Sequence, residues 1–226
     1  TIIMAIAYLI PAGVAFFLLK KERPKASPQA LIGLKKEGLF PYALCVVFVL
    51  LHFGCNGLFG NIKTYGGFLQ LLPEIPYALV FGGLAEIGWR RYLQPKLFRA
   101  LGYADLWFVL IFLTLIVVCW YIPVYSVPWC RPFGMNWFLI LLLLTGNTFM
   151  LAAIRMSSKG AIPCILAQTL FMGVNQVWMV SNHWLAVAFI SILEVAASFG
   201  CMVYIFTNKK KKKTMKEPEI KTDISI

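Results

Sequence analysis

Leu106-Trp107-Phe108-Val109-Leu110-Ile111-Phe112-Leu113-Thr114-Leu115-Ile116-Val117-Val118-Cys119-Trp120-Tyr121-Ile122-Pro123 contains no charged residue. A helix over this stretch rises roughly 27 Å, close to the hydrocarbon thickness of a bilayer. Runs of the same kind recur along the chain, and seven spans are expected: residues 2–19, 39–59, 75–94, 106–123, 137–154, 161–179 and 184–206. The reading is all-α, a polytopic transmembrane helical bundle of about seven spans. A membrane β-barrel would alternate apolar and polar residues over short segments, and the chain does not.

Composition points the same way. The 226 residues are 60% hydrophobic and only 13% charged, against about 25% charged in a soluble domain. Mean hydropathy is +0.78. The net charge of +12 raises the question of nucleic acid, but the basic residues form short clusters between apolar runs, as determinants of topology do. With the N-terminus outside, 19 of the 21 Lys and Arg fall on the inner side, leaving Lys63 and Arg131 outside. The expected partners are therefore a lipid bilayer with an anionic inner leaflet, met by Lys209 to Lys213, and no nucleic acid. The expected location is the plasma membrane with a cytoplasmic C-terminus. Residues 1–208 read as one membrane domain and 209–226 as a basic, disordered cytoplasmic tail. The run Thr1 to Leu19 reads as a helix and not a signal peptide, because it precedes its basic cluster. Thr1 stands where a starting methionine is absent, and residues upstream are expected.

Cys45, Cys55, Cys119, Cys130, Cys164 and Cys201 show no C-x-x-C spacing; most read as free thiols in apolar runs, and Cys130 as a loop residue on the outer side with no evident partner. No metal site and no cofactor is expected. His183 reads as a solvated turn residue, and His52 as a helix-to-helix hydrogen-bond former. Glu194, mid-span in the last helix, is expected to be protonated or to pair with Gln168, Gln176 or Asn147.

Ionisable groups within apolar spans are costly and mark functional candidates. Glu86, Arg90 and Gln94 recur every four residues and share one helix face, with the glutamate in the favourable N-terminal position. Pro95 is expected to end that helix near the inner boundary, placing Glu86 about 13 Å from the end. From these residues alone, a structural ion pair and a catalytic or binding carboxylate oriented by an arginine are both open.

The surrounding stretch, Ala85-Glu86-Ile87-Gly88-Trp89-Arg90-Arg91-Tyr92-Leu93-Gln94-Pro95-Lys96-Leu97, resembles the first motif of the CPBP (Abi) family. That family comprises the CAAX prenyl protease type II and bacteriocin-processing membrane endopeptidases, whose motif has the form E-E-x-x-x-R, often continuing G-W-R-G-[FY]-L. Ala85 stands where the first glutamate is usual. The second motif, often W-H-[LI]-P, is matched by Trp120-Tyr121-Ile122-Pro123, with Tyr121 in the histidine position. The third, H-x-x-x-N, falls on Gln168 to Met172, with Gln168 for histidine and Met172 for asparagine. The resemblance covers about residues 75–180.

The resemblance implies an intramembrane endopeptidase that hydrolyses peptides through a glutamate-activated water. The substitutions bear on that chemistry directly. Alanine has no proton to move, a phenol is a poor base near neutrality, and an amide does not titrate. Glu86 lies one position along from Ala85, about 100° round an α-helix, and is not expected to face the same pocket. The expected site residues are Glu86, Arg90, Tyr121 and Gln168. The expected function is binding of a membrane-embedded or prenylated peptide, or a partner protein, with weak or absent proteolysis: a pseudoenzyme. Two alternatives are an active endopeptidase using Glu86 and a small-molecule transporter or channel subunit. On the expected spans, Tyr121 sits near the outer end of its helix and Glu86 deeper.

Overall fold

The uncharged stretch forms a helix from Leu106 to Ser126, running past Pro123. A computed structural model describes residues 2–101, 106–127 and 136–214, with side chains described for residues 6–101, 106–127 and 136–208. Cys130 and Arg131 lie outside the described residues. The helices are α1 (Ile2–Glu22), α2 (Pro28–Ile32), α3 (Leu39–Leu58), α4 (Leu71–Ala78), α5 (Gln94–Leu101), α6 (Leu106–Ser126), α7 (Trp137–Ser157), α8 (Ile162–Val177) and α9 (Trp184–Thr214). Helix α9 continues past Asn208, where the tail was expected to begin, while residues 215–226 lie outside the description. A single antiparallel ribbon joins β1 (Ile62–Thr64) to β2 (Trp178–Val180), with Lys63 opposite Met179.

The expectation of about seven spans is corrected. Among the described residues, four helices are long and apolar enough to cross a membrane: Leu39–Leu58, Leu106–Ser126, Trp137–Ser157 and Trp184–Asn208. A fifth is reached if the pair Phe68–Gly83 and Ile87–Leu101, bent by 42°, counts as one broken span. Helix α8, Ile162–Val177, rises only about 24 Å, short of a bilayer core of about 30 Å. The stretch from 75 to 94 is not one regular helix either. It passes through two widened π-helical segments, Leu79–Gly83 and Ile87–Leu93. Pro95 does not end a helix: it is the second residue of α5, where a missing N–H costs nothing.

The outward faces are apolar. Phe17, Leu39, Leu50, Leu58 and Ile192 are among the exposed hydrophobic residues, the pattern expected where lipid is the solvent. Each helix turns a narrower stripe inward. In α1 that stripe is Tyr8, Pro11, Ala15 and Leu19, one residue per helical turn. Pro11 meets Gly88 so closely that a Cβ on the glycine would lie 2.5 Å from the Pro11 carbonyl oxygen. Trp120 Nε1 donates to Ala7 O (3.0 Å), tying α6 to α1.

The two ends of the bundle differ in chemistry. At one end the basic segments meet in space. Arg91 donates to the Leu31 and Ala30 carbonyls (3.3 and 3.0 Å), and Arg155 Nε donates to Arg90 O (2.8 Å). The Glu37 carboxylate accepts from the backbone N–H groups of Lys159 (2.8 Å) and Gly160. Lys96 pairs with Glu22 at 2.6 Å, and this ammonium holds the Glu22 carboxyl below its ordinary value. At the other end, the ribbon and a buried asparagine pair close the bundle. Asn61 Nδ2 donates to Asn56 Oδ1 (2.8 Å), and the Asn61 carbonyl accepts from Ser181 N (2.7 Å). His183 is exposed, as expected for a turn residue.

Helices α7 and α9 form the most extensive pairing in the bundle, and Gly146 makes it possible. A Cβ there would collide with Glu194 Oε2. Replacing Gly146 by Ala is expected to cost about 1–3 kcal/mol as overpacking, read as a lower melting temperature in detergent. Gly200 has open space where its Cβ would stand, so Gly200→Ala should hold or raise that temperature. Equal shifts for the two variants would refute this account of the α7–α9 contact.

Candidate functional site

Six helical parts of the chain, with Val180 of β2, contribute to one cavity of about 130 Å³. Tyr8 comes from α1, His52 from α3, Glu86 and Arg90 from the bent segment, Tyr121 from α6, Asn147 from α7 and Gln168 from α8. All four expected site residues therefore line the same space. The anticipated difference in depth between Tyr121 and Glu86 does not keep them apart, because the widened, bent segment does not follow straight-helix geometry. Glu86, not Ala85, borders the cavity. Ala85 is 1% exposed and packs in an apolar cluster with Tyr8, Trp89 and Val117. Ala85 and Glu86 do point different ways, as neighbours on a helix must; the expectation is corrected in that Glu86, and not the Ala85 position, is the one facing Tyr121 and Gln168.

Glu86, Arg90 and Gln94 are each at most 4% exposed. Arg90 Nε donates to Glu86 Oε2 at 2.9 Å, and Arg90 Nη1 donates to Gln94 Oε1 at 3.3 Å. Gln94 Nε2 in turn donates to Ala152 O. The three-residue face read from sequence is thus a real hydrogen-bonded chain, and it anchors the bent segment to α7. A buried guanidinium with a carboxylate and an amide oxygen is paired and hydrogen-bonded, the condition under which charge is tolerated in an apolar interior.

Gln168 Oε1 accepts from Asn147 Nδ2 at 3.0 Å. The partner Oδ1 of Asn147 is buried without a hydrogen bond, leaving an acceptor unused. The Tyr121 ring stacks on Tyr125 (ring centroids 5.8 Å) and meets Tyr8 at a tilt (5.3 Å). Trp89 Nε1 is a buried donor that makes no well-formed hydrogen bond. Unused donors and acceptors around a cavity are the features that fix the orientation of a bound group.

Glu194 does not pair with Gln168, Gln176 or Asn147. Its Oε1 lies 2.5 Å from His52 Nδ1, a hydrogen bond that joins α9 to α3. His52 is thus the helix-to-helix hydrogen-bond former expected, and it also borders the cavity, which was not anticipated. A signal for it existed: apart from Glu86 and Arg90, His52 and Glu194 are isolated ionisable residues within apolar spans, and such residues seek one another. Asn175 and Trp89 also line the cavity, and nothing in their spacing marked them out.

The described cysteines are free. Cys45 donates to the Pro41 and Pro163 carbonyls, both at 3.1 Å. Among the described residues no group of three or more His, Cys, Asp or Glu is placed to hold a metal ion.

Fold and site together define a class: a helical bundle with four or five helices long and apolar enough to cross a membrane, built around a small, mainly apolar cavity that a few polar side chains enter. Compared with family models, with curated proteins and with solved structures, the chain matches none.

Proposed function

We propose that this chain is a CPBP-like integral membrane protein whose cavity takes the end group of a membrane-embedded or prenylated peptide, or of a partner protein, with little or no cleavage. One observation carries the reading. Three sequence segments matched to three motifs, far apart in the chain, contribute Glu86, Arg90, Tyr121 and Gln168 to a single cavity. A chance likeness in the segment around Glu86 gives no reason for the other two segments to arrive there.

The size of the cavity sets what it takes. About 130 Å³ is close to the roughly 150 Å³ of an engineered cavity that binds benzene. It suits one side chain or one peptide end, and a prenyl chain would lie outside it along the apolar helix faces. The Tyr121, Trp89 and Phe171 walls supply contact area, and Gln168 and Asn147 supply orientation. The basic end faces the cytoplasm of the plasma membrane in this reading, in keeping with the meeting of Arg91, Arg155, Lys96 and the 20–38 segment at one end of the bundle and with the positive-inside rule.

The test is binding of a fluorescent prenylated CAAX peptide to the full chain in detergent. Tyr121→Phe and Gln168→Leu remove polar atoms and keep volume. Each is expected to weaken binding about tenfold, the worth of one hydrogen bond to a buried group. The bound wild-type peptide should remain largely uncut over minutes. Cleavage within seconds that Glu86→Gln abolishes would replace this reading with the active endopeptidase. Absence of binding would remove the peptide reading altogether.

A further inference from the structure

We propose that His52, positioned by Glu194, is a general base facing the cavity, and that slow hydrolysis of a bound peptide depends on it. The inference rests on the cavity being a peptide site and deepens that reading. The positions matched to the family's histidines hold Tyr121 and Gln168, yet the cavity is not without an imidazole. One arrives from α3, outside the segment the resemblance covers.

The geometry is that of a carboxylate-held imidazole. Glu194 is fully buried and is not among the cavity-lining residues, whereas His52 is. His52 Nδ1 lies 2.5 Å from Glu194 Oε1; with Nδ1–H taken as the donor to the Glu194 carboxylate, Nε2 is left as the basic nitrogen of a ring that lines the cavity. A carboxylate behind an imidazole fixes its orientation and stabilises the imidazolium that forms when it takes a proton. The ring is also held in place: Phe53 and Phe171 meet it edge-on at centroid distances of 4.8 and 5.1 Å. Asn56 Nδ2 donates to the His52 carbonyl at 2.8 Å, steadying its backbone. Glu86 is less free for this role, since its Oε2 is engaged by Arg90.

The step balances with water as the only co-reactant. His52 Nε2 takes a proton from water while the water oxygen bonds to the scissile carbonyl carbon and the carbonyl π pair moves to oxygen. The oxyanion shares the cavity with the Gln168 amide and the Arg90 guanidinium. Its collapse breaks the C–N bond, and the imidazolium returns the proton to the leaving nitrogen.

The experiment uses the full chain in lipid nanodiscs with the prenylated CAAX peptide, scoring bound peptide and single-turnover cleavage in the same samples over a day. His52→Gln retains an amide N–H for Glu194. It is expected to cut cleavage per bound peptide by about 100-fold or more, the usual contribution of a general base. His52→Ala should regain cleavage on addition of imidazole, which a merely structural histidine would not. Glu194→Gln should lower cleavage without changing binding, and ¹⁵N spectra of the labelled imidazole should show the loss of the Nδ1–H tautomer. Wild-type cleavage by His52→Gln, or bound wild-type peptide that is never cut, would overturn the role of His52 while the binding reading stands. Failure of the wild type to bind peptide would overturn that reading, and the role of His52 with it.

Discussion

Arg90→Met is expected to lower the melting temperature of the detergent-solubilised protein by on the order of 10 °C. The substitution keeps much of the side-chain volume but leaves the Glu86 carboxylate buried and unpaired. Breaking a buried pair in this way costs about 3–5 kcal/mol, and each kcal/mol is worth roughly 2–4 °C in a chain of this length. It also frees Gln94 Oε1, the other acceptor of the guanidinium. Removing both charges, with Glu86→Gln added to Arg90→Met, should recover most of the loss, because an interior without the pair has no stranded ion. The measurement is a double-mutant cycle by thermal unfolding. Arg90→Met melting with the wild type would mean that the pair is solvated.

Ala85→Glu is expected to be the more damaging change, although it restores the first residue of the motif that the flanking residues resemble. Ala85 is 1% exposed and belongs to an apolar cluster with Tyr8, Trp89, Leu113, Val117, Tyr121 and Val124, surroundings that disfavour a carboxylate. Overpacking, worth about 1–3 kcal/mol, and the burial of a charge in an apolar cluster act together, and folded protein should be scarce or absent by size-exclusion chromatography. Tyr121→His and Gln168→His place imidazoles on the cavity wall and should be tolerated far better. A triple variant that folds and cleaves prenylated peptide rapidly would show that Ala85 has a route to the cavity and would overturn this assignment of its surroundings.

The contrast between Glu86 and Ala85 shows where sequence reading holds and where it stops. The chain Glu86, Arg90, Gln94 was legible because residues four apart meet on any helix-like ribbon, and the hydrogen bonds are there. Which of two adjacent residues faces the cavity was not legible, because it depends on the π-helical turns from Leu79 to Gly83 and from Ile87 to Leu93. Those turns come from packing: Gly82 and Gly83 lie against α8, and Gly88 lies against Pro11 of α1. No local pattern announces them. The same bend removed one regular span from the expected seven.

Charge and hydropathy along the chain were enough to settle that the fold is helical, that its outward faces are apolar and that its basic segments gather at one end. These are properties of each segment with its solvent, written into composition and period. The convergence of Tyr8, His52, Glu86, Tyr121, Asn147 and Gln168 on one cavity, and the pairing of His52 with Glu194 across 142 residues of chain, belong to the tertiary structure. They are contacts between segments whose separate apolar patterns say that each is buried, but not against what, since lipid tails and helix neighbours are equally apolar.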